Sequence, residues 1–198
     1  MKAELAQKLS RLEGFEDPKI QLEQYVTPPQ LAADMVHAAY MQGDIEGKRV
    51  VDLGTGTGIL AVGAALAGAE KVVAVEKDSE ALEVALENAR DAGVESVIEF
   101  VEKDVEDFEG SFDTCVMNPP FSVHSELLED FYRAAFSVAD AVYALGPRDD
   151  SIKEFAREHG HEVLGAEDYS IGLESSYGFH TEEVRETGIR LIVTRRKQ

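Results

Sequence analysis

The sequence predicts an α/β protein built around a doubly wound, mostly parallel sheet of seven strands whose last strand is antiparallel. Short apolar runs alternate with helical patterns from residue 49 to about residue 160, which is typical of parallel sheets covered by helices. Two of these runs end in distinctive motifs, the glycine-rich segment 52–58 and the segment 118–121. Open sheets of this class bind ligands outside the carboxyl ends of their strands, so both motifs are expected to face one crevice.

The chain of 198 residues is predicted to be a single domain, with a helical extension over residues 1–45 and a core over residues 46–198. Helical spacing of apolar residues predicts helices over 2–12, 28–42, 79–92, 125–138 and 149–159, and a further helix directly after residue 58. Apolar runs predict strands near 49–53, 71–76, 97–101, 112–117, 141–145, 161–166 and 188–194. The last two strands are expected to be joined by a long loop over 167–187, whose length marks it as functional or mobile.

The composition is strongly acidic, with 39 acidic residues against 19 basic ones and a net charge of −20. Polyanion binding normally relies on Lys and Arg that displace counterions, so this balance argues against an ordinary nucleic-acid binder. Two interpretations stay open on charge alone. Either the protein acts on a protein or a small molecule, or it works in very high salt, where a Debye length of about 3 Å at 1 M screens the repulsion. The acidic residues are scattered along the chain, which indicates an acidic surface of the kind that halophiles use.

The basic residues concentrate near the two ends of the chain. They are Lys2, Lys8, Arg11 and Lys19, followed by Arg185, Arg190, Arg195, Arg196 and Lys197. These two clusters would form an RNA-facing rim if the termini met near the crevice, and a solvated C-terminal tail is the ordinary alternative.

The sequence contains no run of 18 apolar residues and no apolar signal core at its N-terminus, so we expect no membrane segment and a cytoplasmic protein. The single cysteine, Cys115, lies inside an apolar run and is predicted to be a small buried hydrophobic residue. The histidines have no spacing that indicates a metal site, and no metal is predicted.

The segment Asn118-Pro119-Pro120-Phe121 ends an apolar run and offers acceptors to an amino group. Neither proline can donate to a sheet ladder, so the strand stops and leaves the Asn118 side-chain carbonyl and the Pro119 backbone carbonyl at its carboxyl end. These two oxygens can accept both hydrogens of a planar NH2 group while the Phe121 ring stacks on its π face. Taken alone, the tetrapeptide is explained equally well by a strand that ends in a tight turn.

The glycine-rich segment predicts a tight turn at which a ligand can approach the backbone. Its glycines are Gly54, Gly56 and Gly58, and the helix that follows presents unpaired N–H groups to the turn. The dinucleotide fingerprint would need glycine at 59, where Ile59 stands. Asp52, at the start of the segment, is suited to order the loop and to approach a ligand ammonium group.

Two carboxylates follow the next two strands. Glu76 lies about 20 residues beyond the glycines and can accept both hydroxyls of a ribose. Asp104, beside Val105, is placed to meet an adenine amino group. Each could be an ordinary solvated carboxylate, but their joint placement at successive strand ends favours a nucleoside site. A nucleoside site and an amine site in one crevice are what transfer from S-adenosylmethionine to an amine requires.

Residues 52–58 together with residues 118–121 resemble the class I methyltransferases that modify exocyclic or amide nitrogens. These are enzymes with a Rossmann-like fold. Further segments are similar to the small-subunit ribosomal RNA adenine-N6 methyltransferase family of eukaryotes and its archaeal relatives. Those segments are 14–19, 22–27, 141–145 and 176–180. The resemblance covers nearly the whole chain.

The resemblance implies in-line methyl transfer from S-adenosylmethionine to adenine N6 in RNA, with small-subunit rRNA as the expected substrate. It implies that Gln24, Tyr25 and Thr27, in the 1–45 extension, flank the cofactor and help to close its pocket. It places Phe179 and His180 near the acceptor base. With the acidic composition, it favours a halophilic archaeal source.

The resemblance also implies a partner, because relatives of this family work with a small zinc-binding activator protein. The strand at 97–101 would lie at a sheet edge in a methyltransferase topology, and an exposed edge can pair with another chain. Its apolar residues are Val97, Ile98, Phe100 and Val101. An edge that is covered by the protein's own helices is the alternative.

Three other functions account for parts of the sequence. An NAD-dependent oxidoreductase would need the missing glycine at 59 and leaves residues 118–121 without a task. A glutamine-amide methyltransferase acting on a translation factor shares the chemistry and suits the negative charge better, but it usually carries tyrosine at the position of Phe121. A non-catalytic adaptor would not need the cofactor and acceptor elements that are present here.

Overall fold

The computed structural model describes residues 1–120, 125–147, 151–172 and 186–197. The helices are α1 Lys2–Leu9, α2 Pro29–Met41, α3 Ile59–Leu66, α4 Ser79–Asp91, α5 Ser125–Val138 and α6 Ser151–Glu158. The strands are β1 Arg49–Leu53, β2 Lys71–Glu76, β3 Ile98–Glu102, β4 Phe112–Met117, β5 Ala139–Pro147, β6 His161–Gly172 and β7 Glu186–Arg196. Short 3-10 turns lie at Ile20–Leu22, Glu95–Val97 and Val105–Asp107.

All seven strands form one sheet in the order β3-β2-β1-β4-β5-β7-β6. The pairs on either side of β7 are antiparallel and the other pairs are parallel, so the predicted doubly wound sheet with an antiparallel last strand is confirmed. The strand order reverses between β1 and β4, which are direct neighbours. This is the topological switch point at which open sheets bind their ligands.

The sheet separates two apolar layers. One layer contains α1, α2 and α3, with fully buried residues such as Leu9, Met35 and Val36. The other contains α5 and α6 and includes Phe131, Tyr132 and Phe136. Helix α1 packs against both α2 and α3, so the N-terminal segment is part of the main core. No helix in the described parts of the chain combines the length and apolarity needed to cross a bilayer.

The buried polar residue Asp44 ties the C-terminal strand to the centre of the molecule. Its carboxylate accepts hydrogen bonds from the Tyr143 hydroxyl at 2.7 Å and from the Arg195 guanidinium at 2.6 Å. Its backbone carbonyl accepts a third bond from the Thr114 hydroxyl at 2.6 Å. Arg195 is therefore held in an ion pair by the protein itself, unlike the free cation that a basic rim would need.

The same holds for other basic residues near the termini. Ion pairs join Lys2 to Asp34, Lys8 to Glu4, Lys19 to Asp78 and Glu80, Arg190 to Asp168, and Arg196 to Asp140. Arg196 also donates to the carbonyls of Phe136 and Ala139. These contacts neutralise much of the positive charge that the sequence concentrates at the two ends.

The predicted loop over 167–187 is wrong at both ends, because β6 continues to Gly172 and β7 begins at Glu186. Backbone pairing runs without a gap from Glu167–Leu191 to Gly172–Glu186. The sequence here mixes glycine and polar residues with only a short apolar alternation at Tyr169 and Ile171, and backbone pairing with β7 extends the strand through it. The last β5 pair is Pro147–Ile189, so the hairpin extends three residues further, about 10 Å, beyond the carboxyl end of β5.

Other boundaries differ by a few residues. Helix α1 ends at Leu9 and not at residue 12, since residues 10–12 close a tighter turn through Arg11 N to Lys8 O and Leu12 N to Leu9 O. Strand β3 begins at Ile98 because Val97 belongs to the preceding 3-10 turn. Strand β5 is longer than predicted at both ends because neighbouring strands pair with it as far as Ala139 and Pro147.

We expect folding stability to fall as the pH decreases from about 6.5 to about 4, partly because of His161. This side chain is fully buried and stacks on the Phe136 ring with 4.4 Å between centroids. Burial, followed by the charge of Arg196, lowers the pKa of His161 to about 4. An unfolded histidine titrates near pH 6.5, so its contribution is complete above that pH and is lost progressively as the pH falls to the folded-state pKa.

The expected contribution of His161 is at most about 3 kcal/mol. Denaturant unfolding of the wild type and His161→Phe from about pH 8 to about pH 4 measures it, and the variant should lose less stability across this range. His159→Phe is the matched control, because the His159 ring is exposed and stacks on Phe155. Equal pH dependence of the wild type and His161→Phe would contradict the assignment.

Candidate active site

A cleft of about 920 Å³, counting space open to solvent, lies at the carboxyl ends of the parallel strands. The core contributes Asp52, Gly54, Thr55, Gly56, Thr57, Ile59, Leu60, Glu76, Lys77, Lys103, Asp104, Val105, Asn118, Pro120, Leu127 and Phe131. The N-terminal segment contributes Phe15 and residues 21–27. The ends of β1, β2, β3 and β4 thus meet the N-terminal segment in one cavity.

The glycine turn after β1 depends on positive φ angles and on close packing by aromatic rings. Gly54 has φ +70°, and a Cβ there would lie 2.7 Å from the Phe131 ring. Gly56 has φ +53°, and its Cβ would lie 2.9 Å from the Phe15 ring. Aromatic rings thus occupy the space on the Cβ side of Gly54 and Gly56, while both glycines also line the cleft, so the approach of a ligand to this turn stays a prediction. The third glycine, Gly58, precedes α3 and packs against Ala85.

Asp52 is buried at the end of β1 and orders the glycine turn. Its Oδ2 accepts hydrogen bonds from the Thr55 hydroxyl at 2.6 Å and from the Ala61 N–H at 2.9 Å. Its Oδ1 has no hydrogen-bond partner among the described residues. Burial raises the pKa of Asp52 to about 7, although these two hydrogen bonds oppose the shift. A cationic ligand group beside Oδ1 would favour the ionised carboxylate, so this residue fits the ammonium of S-adenosylmethionine.

Glu76 ends β2 with its carboxylate held by three backbone N–H groups. The donors are Gly56 at 3.0 Å, Lys77 at 2.9 Å and Asp78 at 3.1 Å. A carboxylate has about four acceptor sites, so a site remains for ribose hydroxyls. The bond from Gly56 also connects the glycine turn to β2. The geometry therefore fits the predicted contact with a ribose.

Asp104 follows β3 and begins the 3-10 turn Val105–Asp107. Its Oδ1 accepts from the Glu106 N–H at 3.3 Å, and its Oδ2 lies 3.5 Å from the Lys77 ammonium. Val105 beside it is buried and contributes an apolar surface to the cleft. A carboxylate beside an apolar wall suits an adenine, whose amino group donates while its ring packs.

Residues 13–27, which we call the strap, cross the cleft and are anchored to α4. The Gln24 amide donates to Asp78 at 2.6 Å, and the Lys19 ammonium lies 2.7 Å from the same carboxylate. Asp78 also caps α4 by accepting from the Glu80 N–H. Although burial opposes it, hydrogen bonds from Lys19 and Gln24 hold the pKa of Asp78 below its ordinary value. A second anchor joins the strap at Glu13 to Asn88, which also bonds to the Thr57 carbonyl.

Asn118 lies half-buried at the end of β4 and is bound by two hydroxyl groups of the strap. Its Oδ1 accepts from the Tyr25 hydroxyl at 3.2 Å, and its Nδ2 donates to Thr27 Oγ1 at 2.8 Å. Pro119 is buried beside it and Pro120 faces the cleft. The predicted substrate residues Phe121, Phe179 and His180 lie outside the described residues.

Sequence reasoning missed several residues that shape this site. Phe15 and Phe131 press on the glycine turn, Leu127 and Lys103 line the cleft, and Asp78 anchors the strap. Phe131 had a partial signal, because α5 follows residues 118–121 directly and carries an apolar face. The role of Asp78 had none, since its partners lie 54 and 59 residues away. The described residues hold no cluster of three or more histidine, cysteine, aspartate or glutamate side chains that could bind a metal ion.

The sheet order, the strand-end carboxylates and the Asn-Pro-Pro turn together define a class I methyltransferase. The family model described as the methyltransferase small domain matches residues 33–146, and the chain belongs to this family. The predictions of an S-adenosylmethionine-dependent methyltransferase and of its cofactor are thereby confirmed.

Relatives whose names state an activity match almost the whole chain. The rRNA N(6)-adenosine-methyltransferase Mettl5 of Drosophila melanogaster is 36% identical, and the match covers 92% of this chain and 90% of the relative. A crystal structure described as a candidate RNA methyltransferase from Pyrococcus horikoshii has a TM-score of 0.92 at 36% identity and covers 100% of this chain and 98% of that one.

A third relative shows how far the core alone is shared. The ribosomal protein L11 methyltransferase of Thermotoga maritima is 39% identical over 121 residues, which covers 60% of this chain and 46% of that protein. A similar methyltransferase core thus occurs in a protein named for a protein substrate. The shared core therefore does not distinguish an RNA substrate from a protein substrate, and features outside it must do so.

Proposed function

We propose that this protein transfers a methyl group from S-adenosylmethionine to the N6 amino group of an adenine in RNA, with small-subunit ribosomal RNA as the substrate. The observation that carries the proposal is the position of Asn118, whose amide lies in the same cleft as the strand-end carboxylates Asp52, Glu76 and Asp104. The near full-length similarity to named rRNA adenine-N6 methyltransferases supports the choice of acceptor.

The acceptor nitrogen needs activation because its lone pair is delocalised into the adenine ring. S-adenosylmethionine supplies a sulfonium methyl group that is already reactive. Asn118 Oδ1 and the Pro119 carbonyl accept the two N6 hydrogens, which favours a pyramidal nitrogen and stabilises the positive charge that develops on it. The proton becomes acidic only after the N–C bond has formed and the S–C bond has broken, so solvent can remove it and no strong base is required.

Positioning accounts for much of the remaining rate. Well-oriented reactants gain about 7–11 kcal/mol from pre-organisation. A paired adenine must leave its stack to reach a recessed cleft, and Phe121 is proposed to receive it. The β6–β7 hairpin supports a substrate wall on this side, because its described ends project beyond the carboxyl end of β5, the neighbour of β4. The sequence between β6 and β7 contains Phe179 and His180, the other residues proposed to contact the base.

The competing protein glutamine-amide activity acting on a translation factor uses the same acceptor chemistry. It is favoured by the net charge of −20, which opposes binding to a polyanion. It does not account for the similarity of the strap and the C-terminal strands to the adenine-N6 methyltransferases, which extends far beyond the shared core.

An acidic surface can bind RNA if salt screens the repulsion between them. We therefore propose that the protein works in the cytoplasm of a halophilic archaeon. Nine of ten representative acidic residues are exposed and Asp130 is half-buried. The nine are Glu46, Glu70, Glu80, Glu83, Glu87, Asp91, Glu95, Glu129 and Glu154. They lie on many elements and so surround the fold. Repulsion among such charges weakens as salt shortens the Debye length from about 8 Å to about 3 Å.

We therefore expect the melting temperature to rise by about 5 °C between physiological salt and molar KCl, equivalent to about 2 kcal/mol for a chain of this size. The exposed residue Glu106 gives a local test, because hydrogen bonding and repulsion by Asp130 raise its pKa. Glu106→Gln should raise the melting temperature at low salt and lose this advantage in molar KCl. Differential scanning calorimetry measures both, and a melting temperature independent of salt would contradict the proposal.

A small zinc-binding activator protein is proposed as the partner, docking at the edge strand β3. This strand ends the sheet on one side, so its outer backbone groups are open to pairing. The opposite edge, β6, is less suitable because a register shift between Val163 and Gly165 interrupts its ladder. Poor solubility that co-expression with the activator cures would support this docking, whereas a stable and fully active monomer would contradict it.

The deciding experiment incubates the purified chain, with and without the activator, with tritiated S-adenosylmethionine and archaeal small ribosomal subunits in molar KCl. Digestion to nucleosides then locates the label. Label in N6-methyladenosine that is lost with Asn118→Ala would establish the proposed activity. Label in a protein, or no label in RNA despite measurable cofactor binding, would favour the glutamine-amide alternative.

A further inference from the structure

The amide of Asn118 is bound on both sides by hydroxyl groups that come from a distant segment. Tyr25 donates to its oxygen at 3.2 Å, and Thr27 accepts from its nitrogen at 2.8 Å. The two strap residues, which are predicted to flank the cofactor, line the cleft and bond through their hydroxyls to Asn118. This arrangement links the strap to the residue on which the proposed chemistry depends.

Both partners of the Thr27 bond belong to rigid parts of the fold. Thr27 is 5% exposed and is followed by Pro28 and Pro29, where α2 begins. Helix α2 is itself fixed in the core by fully buried residues such as Met35 and Val36. Asn118 follows the central strand β4 and precedes two prolines, which restrict its backbone. Because both backbones are fixed, the hydrogen bond between the Thr27 and Asn118 side chains holds the amide in one orientation.

The chemistry of the two hydroxyls selects which end of the amide faces each of them. A phenol is a better donor and a poorer acceptor than an aliphatic hydroxyl, so it prefers the amide oxygen. Burial raises the pKa of Tyr25 above its ordinary value, which keeps the phenol protonated and in need of an acceptor. Thr27 Oγ1 then accepts from the amide nitrogen. In this orientation Oδ1 keeps a second lone pair for a substrate N–H.

The Thr27 bond also strengthens Oδ1 as an acceptor. Donation from Nδ2 polarises the amide toward the form with more negative charge on oxygen, an example of cooperative hydrogen bonding. The amide in the opposite orientation would present two N–H donors to an acceptor amine that itself donates. That orientation could not hold the amine.

We propose that Thr27 and Tyr25 are positioning residues that hold the Asn118 amide with its oxygen toward the acceptor amine. The inference rests on the proposed function, because it assigns these side chains a role in the same methyl transfer. Thr27 carries the larger share, since its bond is the shorter and its backbone is the more restricted. The effect should appear in turnover and not in cofactor affinity.

Thr27→Val removes the hydroxyl at nearly constant volume, and Thr27→Ser restores it. We expect Thr27→Val to lower the single-turnover rate by about tenfold to hundredfold, as small losses of positioning do, while the Kd for S-adenosylmethionine changes little. Thr27→Ser should recover most of the rate, and Tyr25→Phe should have a smaller effect in the same direction. In an Asn118→Ala background Thr27→Val should cost nothing more, because its target is gone.

A second readout is independent of the acceptor and therefore separates this inference from the proposed function. The chain has only two asparagines, Asn88 and Asn118, so selective ¹⁵N-asparagine labelling yields two side-chain amide pairs in an NMR spectrum. The Asn88 amide donates to the Glu13 and Thr57 carbonyls and serves as the internal reference. Thr27→Val should shift the Asn118 pair and speed its exchange with water, while the Asn88 pair stays in place.

The outcomes distinguish the two ideas. An unchanged Asn118 pair in Thr27→Val, or a loss confined to cofactor affinity, would overturn the positioning role even if the enzyme methylates adenine. A shifted Asn118 pair in an enzyme that methylates another amine would support positioning and reject the adenine substrate. An effect of Thr27→Val that persists fully in the Asn118→Ala background would show that Thr27 acts elsewhere.

Discussion

Asn118→Ala is expected to reduce turnover by about 10²–10³-fold, the size of effect seen when one pre-organised electrostatic contact is removed from a transition state. The substitution removes the amide oxygen that accepts an N6 hydrogen. It leaves Asp52, Glu76 and Asp104 in place at the other strand ends, so the Kd for S-adenosylmethionine should change by less than about tenfold. Single-turnover methylation and isothermal titration calorimetry measure the two quantities separately.

The structure adds a condition to this prediction, because Asn118 also bonds to Tyr25 and Thr27. Removing it loosens the strap as well as the acceptor site. Gln30→Ala is the matched control, since Gln30 is an exposed amide whose hydrogen bond among the described residues is to Asp34 on its own helix. The control should retain wild-type turnover. Equal losses of turnover and cofactor affinity in Asn118→Ala would mean that the residue serves the cofactor pocket and not the acceptor.

Glu76→Ala is expected to weaken binding of S-adenosylmethionine by at least about 100-fold. A hydrogen bond to a charged group contributes about 1.5–3 kcal/mol, and Glu76 keeps one acceptor site for a ribose hydroxyl. The substitution also frees the N–H groups of Gly56, Lys77 and Asp78, so the glycine turn loses its connection to β2. Calorimetric titration with the cofactor measures the loss.

The chain offers a closely matched control for this change. Glu102 lies directly opposite Glu76 in the register of β2 and β3, and its side chain is exposed. Glu102→Ala removes the same charge from the neighbouring strand and should leave cofactor affinity within a factor of about two. Glu76→Gln should fall between the two, because the amide keeps one acceptor oxygen. Similar affinities for Glu76→Ala and Glu102→Ala would contradict the ribose assignment.

The fold class and most elements could be predicted because they follow from local patterns. Alternating apolar runs and helical spacing identified all seven strands and their antiparallel last member. The errors lie where long-range pairing overrides local pattern. Residues 167–172 were predicted to be loop because their only apolar alternation is Tyr169 and Ile171, yet the backbone of β7 pairs with all of them.

The candidate site also contains residues that local pattern predicts and contacts that only long-range packing creates. Asp52, Glu76, Asp104 and Asn118 were predictable because parallel strands bring their carboxyl ends to one edge of the sheet. The contact of Phe131 with Gly54 was not predictable, because the ring reaches that glycine only through the packing of α5 on β4 and the glycine turn. The bonds from Tyr25 and Thr27 to Asn118 were not predictable for a related reason. A motif indicates that a residue belongs to a site but not which group its polar atom faces.

The sequence by itself determined the class of fold, the strand-end residues of the cleft and the charge of the surface, because these depend on residue type and on short-range order. The tertiary structure alone decided that aromatic rings fill the space beside Gly54 and Gly56, that Asp78 anchors the strap, and that Tyr25 and Thr27 hold the Asn118 amide. It also decided that basic residues near the termini are paired with the protein's own carboxylates. Such contacts join residues tens of positions apart, and only the packed chain brings their atoms within hydrogen-bonding distance.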